Sequence, residues 1–255
     1  MINRLPLGVQ MFTLRDDYAA DAEGTLKKIK AMGYDGIELY GGEGNNLPAE
    51  KLNELLEKTG LTVFGYQPNW PFVQEDTIER TFEFCSSMGI TRIGVASAPI
   101  EMLPKRDTLE QVITHLNKMN ELARKAKFQL GYHTHKTDFV VVDGKTAWDR
   151  IFENTPQDFT MVLDTGNALA GAADSIALLK KFPGRSPWVH LKPFKPEVLG
   201  ATMVGEDAFN WPELLETCVK VGKTDTMLVE YSNYARYQPM EAAALCCKKI
   251  RELMK

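Results

Sequence analysis

Apolar stretches recur along the chain about every thirty residues, which is the length of a strand, a helix and two loops. Each stretch is rich in β-branched and other apolar residues and is bounded by polar or turn-forming positions, as is typical of a buried strand. The pattern predicts eight strands: residues 7–12, 36–40, 61–66, 90–96, 128–135, 159–164, 188–194 and 226–231.

Between these stretches, apolar residues return at helical spacing, as in residues 25–32 and 109–126. Glycine tolerates the left-handed conformation at the end of a helix, and proline is tolerated in the first turn because its missing N–H is not needed there. The sequence therefore predicts helix ends at Gly33, Gly60, Gly89 and Gly222. It predicts helix starts at Pro48, Pro212 and Pro239.

Strict alternation of strand and helix indicates a parallel sheet, and strands that are apolar on both faces are what such a sheet requires. Eight units in 255 residues favour an α/β fold of the closed (β/α)₈ TIM-barrel type, as one domain over residues 1–255. An open, nucleotide-binding sheet would carry Gly-x-Gly-x-x-Gly after the first strand, and residues 8–12 do not supply it.

Four predicted strands end on side chains that can bind a metal: His133, Asp164, His190 and Glu230. Closure of the barrel brings the ends of successive strands together, although these residues are far apart in sequence. Two imidazoles and two carboxylates suit one divalent cation, with Mn²⁺ as the first choice and Zn²⁺, Co²⁺, Fe²⁺ or Mg²⁺ as alternatives. Any one of the four alone also fits a structural role, as a cap or an ion-pair partner.

Strand geometry refines this assignment, because residues i and i+2 face the same side about 6.6 Å apart. We assign His133 to the metal and His135, nearer the mouth, to substrate binding or proton transfer, and leave an exchange of these roles open. By the same rule Lys192 stands above His190 as a cation for a hydroxyl, carboxylate or phosphate. The alternative for Lys192 is a solvated lysine at a strand exit.

Other side chains are expected around the same face of the barrel. Glu38 interrupts an apolar strand, so a basic partner or a polar substrate should lie beside it. Two long connections after strands carry Trp70 and Phe194, which are expected to wall the pocket, with plain loop packing as the alternative for Phe194. His115 lies in a predicted helix and is expected to take no part in chemistry.

The formal net charge of −4 offers no general attraction for nucleic acid or an anionic membrane, so a small molecule is the expected partner. No segment approaches the ~18 apolar residues of a membrane span, and the N-terminus lacks a signal-peptide core, which predicts a cytoplasmic protein. Assembly is left open, with a homodimer among the options. The cysteines lack Cys-x-x-Cys spacing and are expected to be packing residues: Cys85, Cys218, Cys246 and Cys247.

Five segments, taken together, resemble the sugar phosphate isomerase/epimerase families with the xylose isomerase-like TIM barrel. They are residues 33–38 (Gly-Tyr-Asp-Gly-Ile-Glu), 131–135 (Gly-Tyr-His-Thr-His), 163–167 (Leu-Asp-Thr-Gly-Asn), 189–192 (Val-His-Leu-Lys) and 229–230 (Val-Glu). The resemblance implies metal ligands at Asp164, His190 and Glu230. It implies a substrate pocket that includes Glu38, His135, Asn167 and Lys192.

The chain departs from this resemblance at His133. Ketose epimerases of the superfamily have a glutamate at that strand end, which acts with the glutamate of the last strand as a pair of bases, whereas this chain has an imidazole. The superfamily also includes dehydratases of inosose or dehydroshikimate and a DNA repair endonuclease. The endonuclease's trinuclear zinc site needs more histidines than the four present here, so DNA cleavage is not expected.

The leading hypothesis is a metal-dependent isomerase or epimerase of a small sugar, sugar phosphate or keto-sugar. Glu230 or His135 would remove a proton next to a polarised carbonyl to give an enediolate, and Lys192 would stabilise the oxyanion. The alternative is a dehydratase of a cyclic polyol or keto-sugar, in which His135 or Lys192 assists departure of a β-hydroxyl. A third hypothesis is a non-catalytic sugar-binding barrel.

Overall fold

A computed structural model of the chain describes residues 2–42 and 47–255, and a closed barrel of eight parallel strands forms its centre. The barrel strands are β1 Leu7–Gln10, β2 Gly36–Gly41, β3 Thr62–Pro68, β4 Arg92–Val95, β5 Gln129–His133, β8 Thr160–Asp164, β9 Trp188–Leu191 and β10 Thr226–Val229. A small antiparallel hairpin outside the barrel pairs β6 Val141–Val142 with β7 Lys145–Thr146. Pairing of β1 with both β2 and β10 closes the ring.

Helices follow the strands around the outside of the barrel. They are α1 Arg15–Ala20, α2 Ala22–Ala31, α3 Ala49–Thr59, α4 Ile78–Ser87, α5 Arg106–Lys125, α6 Ala147–Glu153, α7 Thr165–Ala170, α8 Ser175–Lys181, α9 Trp211–Thr217 and α10 Pro239–Leu253. Each of the eight predicted strands overlaps one barrel strand, so the predicted (β/α)₈ fold is confirmed. In the described ranges, no helix is both long enough and apolar enough to cross a bilayer.

Several strands end earlier than the apolar pattern indicated. β1 stops at Gln10, because Met11–Leu14 form a 3-10 turn. In this turn the Phe12 N–H donates a hydrogen bond to Gln10 Oε1. β5 ends at His133 and β9 at Leu191, so His135 and Lys192 lie in the loops just beyond these strands. Apolar sequence continues into such turns, and hydrophobicity alone does not mark the last paired residue.

The glycines predicted to end helices follow two different physical rules. Gly33, Gly60 and Gly89 adopt the predicted left-handed conformation, with φ of 97°, 65° and 66°. A helical segment also ends at Gly222, as predicted, but the left-handed residue there is Lys223, with φ of 62°. A Cβ on Gly222 would lie 2.8 Å from Leu179 Cδ2, so close packing explains this glycine.

A separate apolar cluster lies among the barrel strands and consists of Val162, Trp188 and Leu228, with Phe64 packed against it. Arg92, the first residue of β4, donates two hydrogen bonds to the Asp225 carboxylate and lies 5.4 Å from the Trp188 ring. Arg92 begins β4 and Asp225 directly precedes β10, so this ion pair lies at the amino-terminal ends of the barrel strands.

Candidate metal centre and cavity

The structure brings the four predicted metal ligands together at the carboxyl ends of β5, β8, β9 and β10. One candidate ligand atom from each of His133, Asp164, His190 and Glu230 lies within 4.8 Å of the others, and all four side chains are buried. Asp164 and His190 are direct partners in the register of β8 and β9. Glu230 follows the last residue of β10, and its N–H bonds to Leu191 O of the neighbouring strand.

Unpaired polar atoms inside this cluster favour a bound cation. His133 Nε2 lies 3.6 Å from both Asp164 Oδ2 and Glu230 Oε2, and His190 Nδ1 lies 2.8 Å from Glu230 Oε2. Both ring nitrogens of His133 and Asp164 Oδ2 are buried without a hydrogen-bond partner. Buried polar atoms left unpaired are costly, and these nitrogen and carboxylate donors are ligands of divalent metals. The residues therefore fit the expected metal.

Burial perturbs the pKa of two of the four side chains, His133 and Asp164. Desolvation, followed by the charge of His190, lowers the pKa of His133 well below its usual value, so its imidazole is neutral and keeps a free lone pair. Desolvation also raises the pKa of Asp164 to about 6, against the opposing effect of Lys192. A cation beside Asp164 would reverse that shift, because an opposite charge favours the ionised carboxylate.

The other two side chains of the cluster, His190 and Glu230, are charged. Burial lowers the pKa of His190, but the carboxylates of Glu38 and Glu230 more than offset it and raise the value to about 10. Burial would raise the pKa of Glu230, but the Lys192 ammonium and the imidazoles hold it well below its usual range. A metal at His190 Nδ1 must therefore displace a proton.

Glu38 lies beneath the cavity and not in its wall. Its side chain is 1% exposed, with Oε2 2.8 Å from His190 Nε2. The same oxygen accepts a 2.5 Å hydrogen bond from Gln10 Nε2. The buried carboxylate has the basic partner that its strand position predicted. A contact of Glu38 with substrate stays a prediction.

Gln10 and Gln67 are site residues that the sequence analysis did not identify. Gln10 Nε2 also donates a 2.7 Å hydrogen bond to Gln67 Oε1, and both amides line the cavity above Glu38. The sequence signal for both glutamines is the same as for Glu38: a polar residue in or next to an otherwise apolar strand. Applying that rule to β1 would have found Gln10.

A cavity of about 420 Å³ opens above the four-residue cluster. Its lining comprises Gln10, Phe12, Tyr40, Gly41, Gln67, Asn69, Ala96, Ser97, His133, His135, Asn167, Lys192, Glu230 and Ser232. The predicted pocket residues His135, Asn167 and Lys192 are thus at the cavity surface. Their binding roles stay predictions.

The two aromatic residues expected to wall the cavity are not among its lining residues in the described chain. The Trp70 ring packs 4.7 Å from the His115 ring, and the neighbouring Asn69 lines the cavity instead. Phe194 packs within its own loop, near Gly200. Phe12 and Tyr40 take their place, as an edge-to-face pair with ring centroids 5.4 Å apart.

Lys192 is fixed inside the site. Its Nζ lies 2.9 Å from Glu230 Oε1 and 3.1 Å from Asn167 Oδ1, which excludes a freely solvated lysine. Burial lowers its pKa, but Glu230 and Asp164 more than compensate, so the pKa is raised and the ammonium stays charged.

His135 stands beside the cluster at the cavity wall. Its ring centroid is 4.9 Å from that of His133, and its backbone N–H donates to Asp138 Oδ2. Burial, with a smaller effect of His133, lowers the pKa of His135 to about 4. The imidazole is therefore neutral near pH 7.

The family model of the xylose isomerase-like TIM barrel matches residues 26–251. The match covers most of the chain, and this protein therefore belongs to the xylose isomerase-like TIM barrel family, as its barrel and strand-end cluster had indicated.

Two curated relatives share sequence with the chain. Rhizopine catabolism protein MocC of Rhizobium meliloti is 25% identical in a match that covers 89% of this chain and 78% of MocC. Inosose dehydratase of Geobacillus kaustophilus (strain HTA426) is 32% identical over 91 residues, which cover 35% of this chain. That second match spans 29% of the dehydratase's own length.

Solved structures share the whole barrel. A sugar phosphate isomerase/epimerase from Parabacteroides distasonis ATCC 8503 is similar with a TM-score of 0.85 and 17% identity, over 98% of this chain and all of that one. A xylose isomerase-like TIM barrel protein from Mycobacterium smegmatis, in complex with magnesium, has a TM-score of 0.72 and 15% identity, over 99% of this chain and 97% of that one. At these identities the likeness establishes the fold.

Proposed function

We propose that this protein is a divalent-metal-dependent isomerase or epimerase of a small sugar or keto-sugar. The observation that carries the proposal is the two-sided placement of Glu230. Its Oε2 faces His190 Nδ1 and His133 Nε2, while its Oε1 pairs with Lys192. One carboxylate thus belongs both to the candidate ligand cluster and to the cavity where a substrate would bind.

His133, Asp164, His190 and Glu230 would hold the cation. When bound there, a divalent metal supplies Lewis-acid polarisation of a carbonyl and its adjacent hydroxyl. Mn²⁺ is our first choice because the donor set mixes imidazole and carboxylate, and the magnesium complex of the M. smegmatis barrel supports a divalent ion in this family.

Glu230 is the better candidate for the base that removes a substrate proton. Its carboxylate is ionised, because Lys192 and the imidazoles lower its pKa, and its side chain lines the cavity with Oε1 paired to Lys192. His135, whose buried imidazole is neutral near pH 7, lines the cavity and suits hydrogen bonding to a substrate hydroxyl. Lys192 would stabilise the negative oxygen of the enediolate from 2.9 Å beside Glu230.

Solvent-deuterium incorporation tests this proposal directly. The full chain with added Mn²⁺ is incubated in D₂O with a panel of ketoses, and carbon-bound deuterium is measured by mass spectrometry. We expect exchange with the wild type and its loss in Asp164→Asn. Absence of exchange with every ketose would count against proton abstraction next to a carbonyl.

A second candidate function is dehydration of a cyclic polyol or keto-sugar. His133 occupies the strand end where a second carboxylate base would stand, so an epimerisation that uses two glutamates has no counterpart here. A charged Lys192 beside Glu230 would then protonate a departing β-hydroxyl. The partial similarity to inosose dehydratase supports this alternative. Product analysis separates the two: loss of water with new enone absorbance indicates dehydration, and a product of unchanged mass indicates isomerisation.

A further inference from the structure

The cavity is lined almost entirely by neutral groups that form hydrogen bonds. In the described part of the chain, Lys192 and Glu230 are its only lysine, arginine or carboxylate side chains, and they pair with each other at 2.9 Å. The lining residues with a neutral side-chain amide or hydroxyl are Gln10, Tyr40, Gln67, Asn69, Ser97, Asn167 and Ser232. The lining therefore carries no uncompensated side-chain cation.

A phosphate ester needs such a cation, because it carries a charge of about −1.5 to −2 near neutral pH. Proteins usually bind it through Arg forks, Lys ammonium groups or free backbone N–H groups at a helix N-terminus. Lys192 can still donate one N–H beyond those to Glu230 Oε1 and Asn167 Oδ1. Its charge, however, is balanced by the Glu230 carboxylate at 2.9 Å, with Asp164 Oδ2 3.9 Å away, so it supplies no net positive charge for a phosphate. The N–H of Asn167, in the first turn of α7, is taken by the Asp164 carboxylate at 2.6 Å.

Arg15 lies near the cavity, next to the lining residue Phe12, and its guanidinium is occupied by hydrogen bonds. Its guanidinium donates to Phe12 O at 3.0 Å and to the Tyr234 hydroxyl at 2.8 Å. Its Cζ lies 4.5 Å from the Phe12 ring, and Arg15 itself does not line the cavity. Residues 43–46, outside the described ranges, read Glu-Gly-Asn-Asn and contain no Lys or Arg.

The same lining suits an uncharged polyhydroxy ring or chain. Phe12 and Tyr40 give an apolar wall, and the amides and hydroxyls give donors and acceptors that match hydroxyl groups. Specific recognition of hydroxyls by such groups costs little desolvation, whereas burial of an unpaired phosphate beside Glu230 costs much more.

We infer that the cavity takes an uncharged polyhydroxy ketone, such as a free keto-sugar or a ketone derived from a cyclitol, and discriminates against its phosphate esters. This inference rests on the proposed function for the place where the substrate binds. The structural relative from P. distasonis is named for sugar phosphates. The substrate inferred for this protein carries no phosphate.

The test compares the binding of a sugar with the binding of its phosphate ester, and uses a lysine substitution to add a positive charge to the cavity lining. Asn69 is exposed, lines the cavity and makes no side-chain capping bond, while its backbone N–H keeps its bond to Gly41 O. Calorimetry measures D-fructose and D-fructose 6-phosphate with the Mn²⁺-loaded full chain. Inorganic phosphate is measured with the metal-free chain, so that the metal does not capture the anion. Wild type, Asn69→Lys and the neutral control Asn69→Gln are compared.

We expect wild type and Asn69→Gln to bind inorganic phosphate and the ester at least about tenfold more weakly than Asn69→Lys does, because only that variant supplies an unpaired cation. The inference is overturned if the wild type binds inorganic phosphate as tightly as Asn69→Lys, or binds the ester more tightly than fructose. Failure of the proposed function would look different: Mn²⁺ binding would be absent from the wild type or unchanged in Asp164→Asn.

Discussion

Glu38 Oε2 lies 2.8 Å from Nε2 of His190, on the side of the imidazole opposite the 2.8 Å contact between Nδ1 and Glu230. The ring is therefore held between two carboxylates, Glu38 of β2 and Glu230 directly after β10, and these two strands lie on either side of β1. A metal-binding histidine commonly gives its second nitrogen to a carboxylate, which fixes the tautomer and the direction of the lone pair. Glu38 is in the position to do this for His190, with Gln10 holding the carboxylate from the other side.

Replacement of Glu38 by Gln should lower Mn²⁺ affinity by about ten- to a hundredfold while the barrel stays folded. The amide keeps the shape of the side chain but loses the charge that orients the His190 N–H. Metal titration of the purified variant measures the effect, and Glu54→Gln on the exposed face of α3 is the matched control. Equal affinities of Glu38→Gln and wild type would show that Glu38 does not position the imidazole.

Metal-induced stabilisation should depend on pH. Burial raises the pKa of Asp164 to about 6, above its ordinary value, so the metal-free protein gains stability from the protonated form at low pH and loses it as the pH rises through about 6. His190, with a pKa of about 10, must also release a proton to a metal. The increase in Tm on adding Mn²⁺ should therefore be small at pH 5 and much larger at pH 7.5. A pH-independent increase would contradict this account, and Asp164→Asn should abolish the increase.

Arg185 should contribute to stability without affecting the metal site. Its buried guanidinium donates to the carbonyl oxygens of Phe152 and Phe159 and to the hydroxyl of Thr155. Arg185→Met leaves these acceptors without a donor, so we expect a loss of about 2–4 kcal/mol in the free energy of unfolding. Urea denaturation measures it, with Arg106→Met as an exposed control that should cost less than about 1 kcal/mol. The Mn²⁺ affinity of Arg185→Met should equal that of the wild type, because these hydrogen bonds of Arg185 involve none of the candidate metal ligands.

The barrel and the four candidate ligands could be predicted because both depend on a local rule repeated along the chain. An apolar run that stops at His133 or Asp164 predicts both a strand and the side chain at its carboxyl end. Closure of the barrel then brings these strand ends together. The partner of Glu38 could not be predicted in this way, since His190 is brought to it by closure across several strands. The cavity wall also escaped prediction, because the 3-10 turn after β1 decides that Phe12 faces the cavity.

His133 and His135 should respond in opposite ways to removal of the side chain, which tests whether His133 is a ligand. An imidazole bound to a metal has its lone pair committed, and the unpaired Nε2 of His133 lies 3.6 Å from both Asp164 and Glu230. His133→Ala should therefore lower Mn²⁺ affinity by about tenfold or more, whereas His135→Ala should retain the metal and lose turnover. His133→Glu should keep the site occupied, because a carboxylate replaces the imidazole as a ligand. Metal analysis of the three purified variants needs no knowledge of the substrate, and full stoichiometric metal in His133→Ala would overturn the assignment.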